Sequence, residues 1–353
     1  MVTSTAPAGI ITDSPRPRRM HFPAAALVFL FIGALASAAQ PAAPIDRPAA
    51  LADWPRTVAL KSAPVVTVIS EDKAQKEFIY ESEHYRFVCD SMLDANLVRE
   101  FSRVFEAAWL ANSLLPLDLK PSPEGDNKKF LARIFTDESD YHEIGGPEGS
   151  AGVYIPQAKA LMLPLSSLGV KMFGTRVIVN YGARDYSTLI HETTHQLMNH
   201  WLPQMPVWFV EGSAEYIALA KYDSGHFSFI QQDKRLQERL LREGGGGRFQ
   251  MVPLEKLMTL SFREWIGELK SEEHASRNYS SALALTYYFY HLDDDGKGTH
   301  IKEYVRAVQQ LAPGEDSAGL VEKYLLRGRD YETLQKSVQQ SLRRIGINVD
   351  FAE

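Results

Sequence analysis

Apolar positions along this chain follow two different periods, and the period changes partway. Up to about residue 180 they alternate or run continuously over short stretches, the pattern of half-buried and buried strands. Segments 84–90, 129–136, 152–155 and 160–165 are the candidate strands, and 91–115, apolar at helical spacing, predicts a long amphipathic helix. Two further helices are predicted at 186–201 and 207–221. Asp185 or Ser187 supplies the cap of the first, and Pro203 and Pro206 end it. From 223 onward the period is helical: 227–243, 253–259, 261–270, 280–292, 299–311, 316–326 and 330–345, with Gly244–Gly247 as a loop. The order predicts an α+β fold of two lobes: an N-terminal α/β lobe with a mixed sheet (76–222) and a C-terminal helical lobe (223–353), with a cleft at their junction.

Candidate chemistry concentrates on the two helices at that junction. His191-Glu192-Thr193-Thr194-His195 places two imidazoles on one helical face, close enough to share a cation, with Glu192 on the adjoining side. Packing the next helix antiparallel returns Glu211 to the same point. His191, His195 and Glu211 then make a metal site with an open fourth position, and Glu192 stands ready to polarise water. Zn²⁺ is the cation such donors suit, and a zinc hydrolase the chemistry they predict. Glu215, one turn after Glu211, lies where it orients a histidine ring.

His191-Glu192-x-x-His195 followed by Glu211-Gly212-x-Ala214-Glu215-Tyr216 resembles the gluzincin metallopeptidases, which include the thermolysin and aminopeptidase N families. The resemblance implies zinc held by His191, His195 and Glu211, Glu192 as general base, and peptide or protein as substrate. It departs in a shorter connection between His195 and Glu211, which calls for a tighter loop. The metzincin pattern does not fit, because Met198 and Trp201 stand where it needs glycine and histidine. The overall order is similar to secreted bacterial peptidase MA-like domain proteins, in which strand, helix, strand and an Ala151-Gly152-Val153-Tyr154 hairpin precede the metal helix. By the gluzincin likeness, the segment 158–164 is expected to be an exposed edge strand that pairs with substrate, an ordinary hairpin being the alternative. Asn278-Tyr279-Ser280-Ser281-Ala282 is similar to the aminopeptidase N segment whose tyrosine stabilises the oxyanion, which nominates Tyr279; His274 is the second candidate. Tyr287, Tyr288, Trp201 and Trp208 read as packing residues, and Asn199 and His200 as polar surface.

The termini and composition narrow the setting. Arg16, Arg18 and Arg19, an apolar run at 23–36 and Ala36-Ser37-Ala38 predict a signal peptide over 1–38. The run, about fourteen residues, is short for a membrane span, though an uncleaved N-terminal anchor is the alternative. A secreted or periplasmic monomer with no stable membrane span after cleavage is expected. Residues 39–75, rich in Ala and Pro, read as a linker. Cys89 is the single cysteine and belongs to a strand, so it reads as a core residue. A net charge of −6 without a long basic run argues against nucleic acid as a partner. Two rival readings share this sequence: an inactive zincin-fold binding protein, and a zinc amidase acting on cell-wall or other non-protein amides.

Overall fold

The computed structural model describes residues 53–352, apart from 124–127, 148–149, 174–175, 180–184, 295, 313–314 and 316. The predicted signal peptide and residues 39–52 of the predicted linker lie outside those residues. In chain order the elements begin with strands β1 (Thr57–Ala59), β2 (Thr67–Asp72), β3 (Glu77–Glu81) and β4 (Tyr85–Cys89), then helix α1 (Ala95–Leu114) and β5 (Phe130–Phe135). There follow α2 (Glu138–Glu143), β6 (Val153–Ile155), β7 (Ala160–Pro164), β8 (Val170–Phe173), β9 (Arg176–Val179), α3 (Ser187–Leu197) and α4 (Val207–Ala218). After the small strands β10 (Lys221–Asp223) and β11 (His226–Ser228) come α5 (Gln232–Glu243), β12 (Phe249–Met251), α6 (Leu254–Thr259), α7 (Phe262–Glu268) and α8 (Glu272–His291). The chain closes with α9 (Thr299–Val308), a short turn α10 (Ala318–Leu320) running into a π-helical turn, α11 (Tyr331–Arg344) and β13 (Val349–Phe351). The fold is α+β, as the order of periods implied.

Six strands form the main sheet in the order β2-β3-β4-β5-β7-β6. The central pairs β4–β5 and β5–β7 are parallel, and the flanks are antiparallel, so the sheet is mixed. Strand β4 shows why one face is covered: Tyr85, Phe87 and Cys89 are buried while Arg86 between them is exposed. Helix α1, capped by the Asp94 carboxylate on the Asn96 N–H, lays Val98, Phe101, Val104 and Phe105 on that face. Phe87 meets Phe101 and Phe105 edge-on, at ring-centroid distances of 5.1 and 5.2 Å. The apolar core continues without a break into α3, α4 and the C-terminal helices.

Four expectations are corrected. The segment 158–164 is not an edge: β7 lies between β5 and β6, and the antiparallel β6 takes the outer position. The hairpin alternative is the one observed, and the apolar run of β7, buried throughout, suits a strand covered on both faces. The linker reading of 39–75 does not hold for 57–72. Val58 is a core residue of β1, which pairs with β11, and β2 extends the main sheet. Both are edge strands: β1 is only three residues long, and β2 is exposed along nearly its whole length, so neither shows a readable apolar alternation. The helix expected at 227–243 starts only at Gln232, after β11. Asn199 is buried rather than on the surface, whereas His200 is exposed as expected.

Candidate metal centre

Helix α3 sits between the sheet and α4, and its position is fixed from several sides. Asp185 Oδ1 accepts from the Ser187 N–H at its start (2.9 Å). The Gln196 amide donates to the Leu131 carbonyl of β5 (2.8 Å), and Asn112 of α1 donates to Thr194 (3.4 Å). The Tyr154 N–H of the edge strand donates to Glu192 Oε2 (3.3 Å). Helix α4 in turn packs on α8, and Gly212 is what allows their approach. A Cβ there would overlap Thr286 Oγ1 and the Ala282 carbonyl on α8. Close packing at the residue beside Glu211 holds that carboxylate over α3 and brings Tyr279 of α8 toward it.

The result is a convergence of buried ionisable groups. His191, Glu192, His195 and Glu211 are 5%, 1%, 0% and 1% exposed. His191 Nε2 and His195 Nε2 lie 2.9 Å apart, and each is 3.3 Å from Glu211 Oε2. These three residues make a set that could hold a metal ion, as their helical spacing predicted. Behind them Glu215 Oε1 faces His191 Nδ1 at 3.2 Å, and its other oxygen takes a hydrogen bond from the Arg239 guanidinium of α5. Arg239 is also bonded to Ser280 on α8 (3.3 Å). Glu215 therefore bridges a histidine ring and a fixed cation, the orienting position that its spacing suggested.

Electrostatics follow from burial and these partners. Burial alone would depress His191, but its hydrogen bonds to Glu211 and Glu215 overcome it and lift the ring to about 10. Burial would raise Glu211, yet the charge of His195 and hydrogen bonds from both histidines hold it down at about 2. Glu215 is likewise held down at about 2, against burial, chiefly by Arg239 and His191. The carboxylates are thus arranged to stabilise positive charge at the point where the three donor atoms meet. Glu192 differs: burial raises it, and among the described residues its Oε1 has no hydrogen-bond partner. A buried oxygen left unanswered costs about 1–3 kcal/mol.

Tyr279 is partly buried beside the cluster, its ring 6.0 Å from that of His191 and edge-on to Trp265 at 5.4 Å. Its hydroxyl is raised well above the ordinary tyrosine value by burial and by Glu211, Glu192 and Glu215, so it stays a neutral donor. His274 is exposed in the first turn of α8, with its N–H on the Ser271 cap. Tyr287, Tyr288 and Trp208 are core residues, as read. The sequence did not reveal Arg239, the Tyr154 amide or Gly212. Arg239 lies in a charged helix whose local pattern marks no partner, and a backbone amide has no sequence signature. Gly212 was visible only as part of a resemblance.

No family model matches the chain, and no curated protein matches it either. The functional reading rests on the residues themselves.

Proposed function

We propose that the protein is an exported zinc-dependent metallopeptidase of the gluzincin type, with the two-lobed zincin arrangement around α3. The observation that carries this reading is the 2.9–3.3 Å triangle of His191, His195 and Glu211 donor atoms with an unpartnered Glu192 oxygen on the same helix. A tetrahedral ion with bonds of about 2.0–2.2 Å separates its ligand atoms by about 3.3–3.6 Å; the two histidine–Glu211 separations of 3.3 Å match that spacing, and the 2.9 Å between the histidine nitrogens is shorter than it. Charge supports the same assignment. With both histidines neutral, as ligation requires, the carboxylates Glu192, Glu211 and Glu215, less the Arg239 guanidinium, leave a deficit of two, which a divalent cation cancels.

When bound, zinc supplies the Lewis acidity that polarises the scissile carbonyl and acidifies water. Glu192 accepts the proton of the attacking water on Oε1 while the Tyr154 N–H holds Oε2 in place. It then returns that proton to the leaving nitrogen. Tyr279, kept neutral, donates to the carbonyl oxygen as negative charge builds there. The test is elemental analysis of the purified protein alongside a quenched-fluorescent peptide library. Bound zinc and cleavage that chelation abolishes and zinc restores are the expected results. Cleavage that survives complete metal removal would overturn the proposal.

A further inference from the structure

A cavity of about 230 Å³ opens where β5 and β7 run out, lined by Glu138, Tyr141, His142, Ser150, Ser166 and Ser167 among others. It is smaller than the roughly 300–1,000 Å³ of pockets that take whole ligands, so it suits a single side chain. Its hydrogen bonds can be counted. Ser166 donates to Glu138 Oε1 (2.6 Å), Ser167 to the Pro164 carbonyl (2.7 Å) and Ser150 to the Pro147 carbonyl (2.8 Å). With the Ser150 hydrogen committed, the Tyr141 hydroxyl is the donor in their 2.6 Å bond. His142 Nδ1 lies 2.9 Å from the Gly146 carbonyl, which only accepts, so Nδ1 carries the proton and Nε2 of the neutral ring is an acceptor. Every side-chain hydrogen of these polar groups is spoken for. What they leave for a guest is lone pairs and the Glu138 charge. Glu138 is the one carboxylate that lines the cavity, and no Lys or Arg stands among residues 137–143 around it.

Ammonium and guanidinium groups are the complement, with three and five donors respectively and no acceptor. We propose that this cavity is the subsite that takes a lysine or arginine side chain of the peptide substrate. The proposal rests on the peptidase reading. Position supports it: the chain runs from Ser150 directly into β6, where the Tyr154 N–H meets Glu192. At about 3.3 Å per extended residue, the two ends are within about 13 Å. Glu192 is close enough that its charge adds to burial in lifting the Tyr141 hydroxyl to about 12. The selected residue therefore sits within a few positions of the bond attacked.

The test measures binding and cleavage separately, using pairs of fluorescent peptides that differ only in arginine against its neutral isostere citrulline. Binding to the full chain carrying E192Q is followed by anisotropy, and cleavage by the wild type is assayed in parallel. The arginine peptide is expected to bind about tenfold tighter, the worth of one charge-assisted hydrogen bond. E138Q should erase that preference, and E138K should invert it toward glutamate peptides. Equal binding of the two peptides, or a preference unmoved by E138Q, overturns the subsite even if wild type cleaves both. A Glu138-dependent preference without any cleavage upholds the subsite and counts against the peptidase reading instead.

Discussion

Compare a cluster of buried histidine and carboxylate at α3 and α4 with another where α8 turns into α9. In the second, Asp293 Oδ1 accepts from the Tyr288 hydroxyl (2.8 Å) and the Arg329 guanidinium (3.0 Å), and Oδ2 faces His300 Nδ1 at 3.2 Å. Arg329 also donates to the Leu325 and Leu326 carbonyls, so the charge is balanced and the donors are used. The first cluster is as deeply buried but not closed. Its carboxylates outnumber its fixed cation, three donor atoms point at one another, and Glu192 keeps an oxygen unanswered. Burial and residue type are alike in the two; satisfaction is what differs. A closed network holds the fold, whereas an open one of this kind waits for a guest.

That contrast breaks most easily at a ligand. His195→Ala should lose bound metal and peptide hydrolysis together while remaining folded, as read by elemental analysis, activity and circular dichroism. Metal retained at full content would remove the distinction. Next in size, Asp293→Ala strands the Arg329 charge and should cost about 3–5 kcal/mol of folding stability in urea, with metal content per folded chain unchanged. A variant that lost metal instead would make the closed cluster functional. Glu215→Gln weakens the hold on His191 and leaves Arg239 without its charge partner. Metal affinity should fall about 10–100-fold in a chelator competition, with residual activity at saturating zinc.

The smallest effect belongs to another closed site. Burial would raise Glu106, but hydrogen bonds from the His84 ring and backbone and from Ser82 outweigh it and hold the carboxyl below its ordinary range. Its folded value lies under the unfolded one of about 4.3. Its contribution is therefore complete above that pH and is lost as pH falls through the lowered value. Glu106→Gln should be less stable than wild type at pH 7 by about 1 kcal/mol, and the gap should narrow toward pH 3. Urea midpoints across that range read the effect, and a gap that widened in acid would contradict the assignment.

How much of this was legible in the sequence follows from where each signal resides. The convergence of His191, His195 and Glu211 was legible because helical spacing alone aligns His191 with His195, and proline-bounded helices return Glu211 to them. The central strands were legible because β4, β5 and β7 are apolar enough to be read without partners. Strand β2 was not, since an edge strand exposed on both faces carries little periodicity, and β1 is only three residues long. Strand order was hidden too: nothing local tells that β6, later paired antiparallel, displaces β7 from the edge. The same holds for Arg239, whose role comes from α5 crossing α8, a tertiary fact.

The most direct test of the central claim compares wild type and Glu192→Gln at equal, measured zinc content against the same peptide library. Glu192→Gln removes the base but none of the metal donors. The account predicts equal zinc in both proteins and a turnover lower by about 10²–10⁴-fold in the variant. Hydrolysis by Glu192→Gln at the wild-type rate would contradict it.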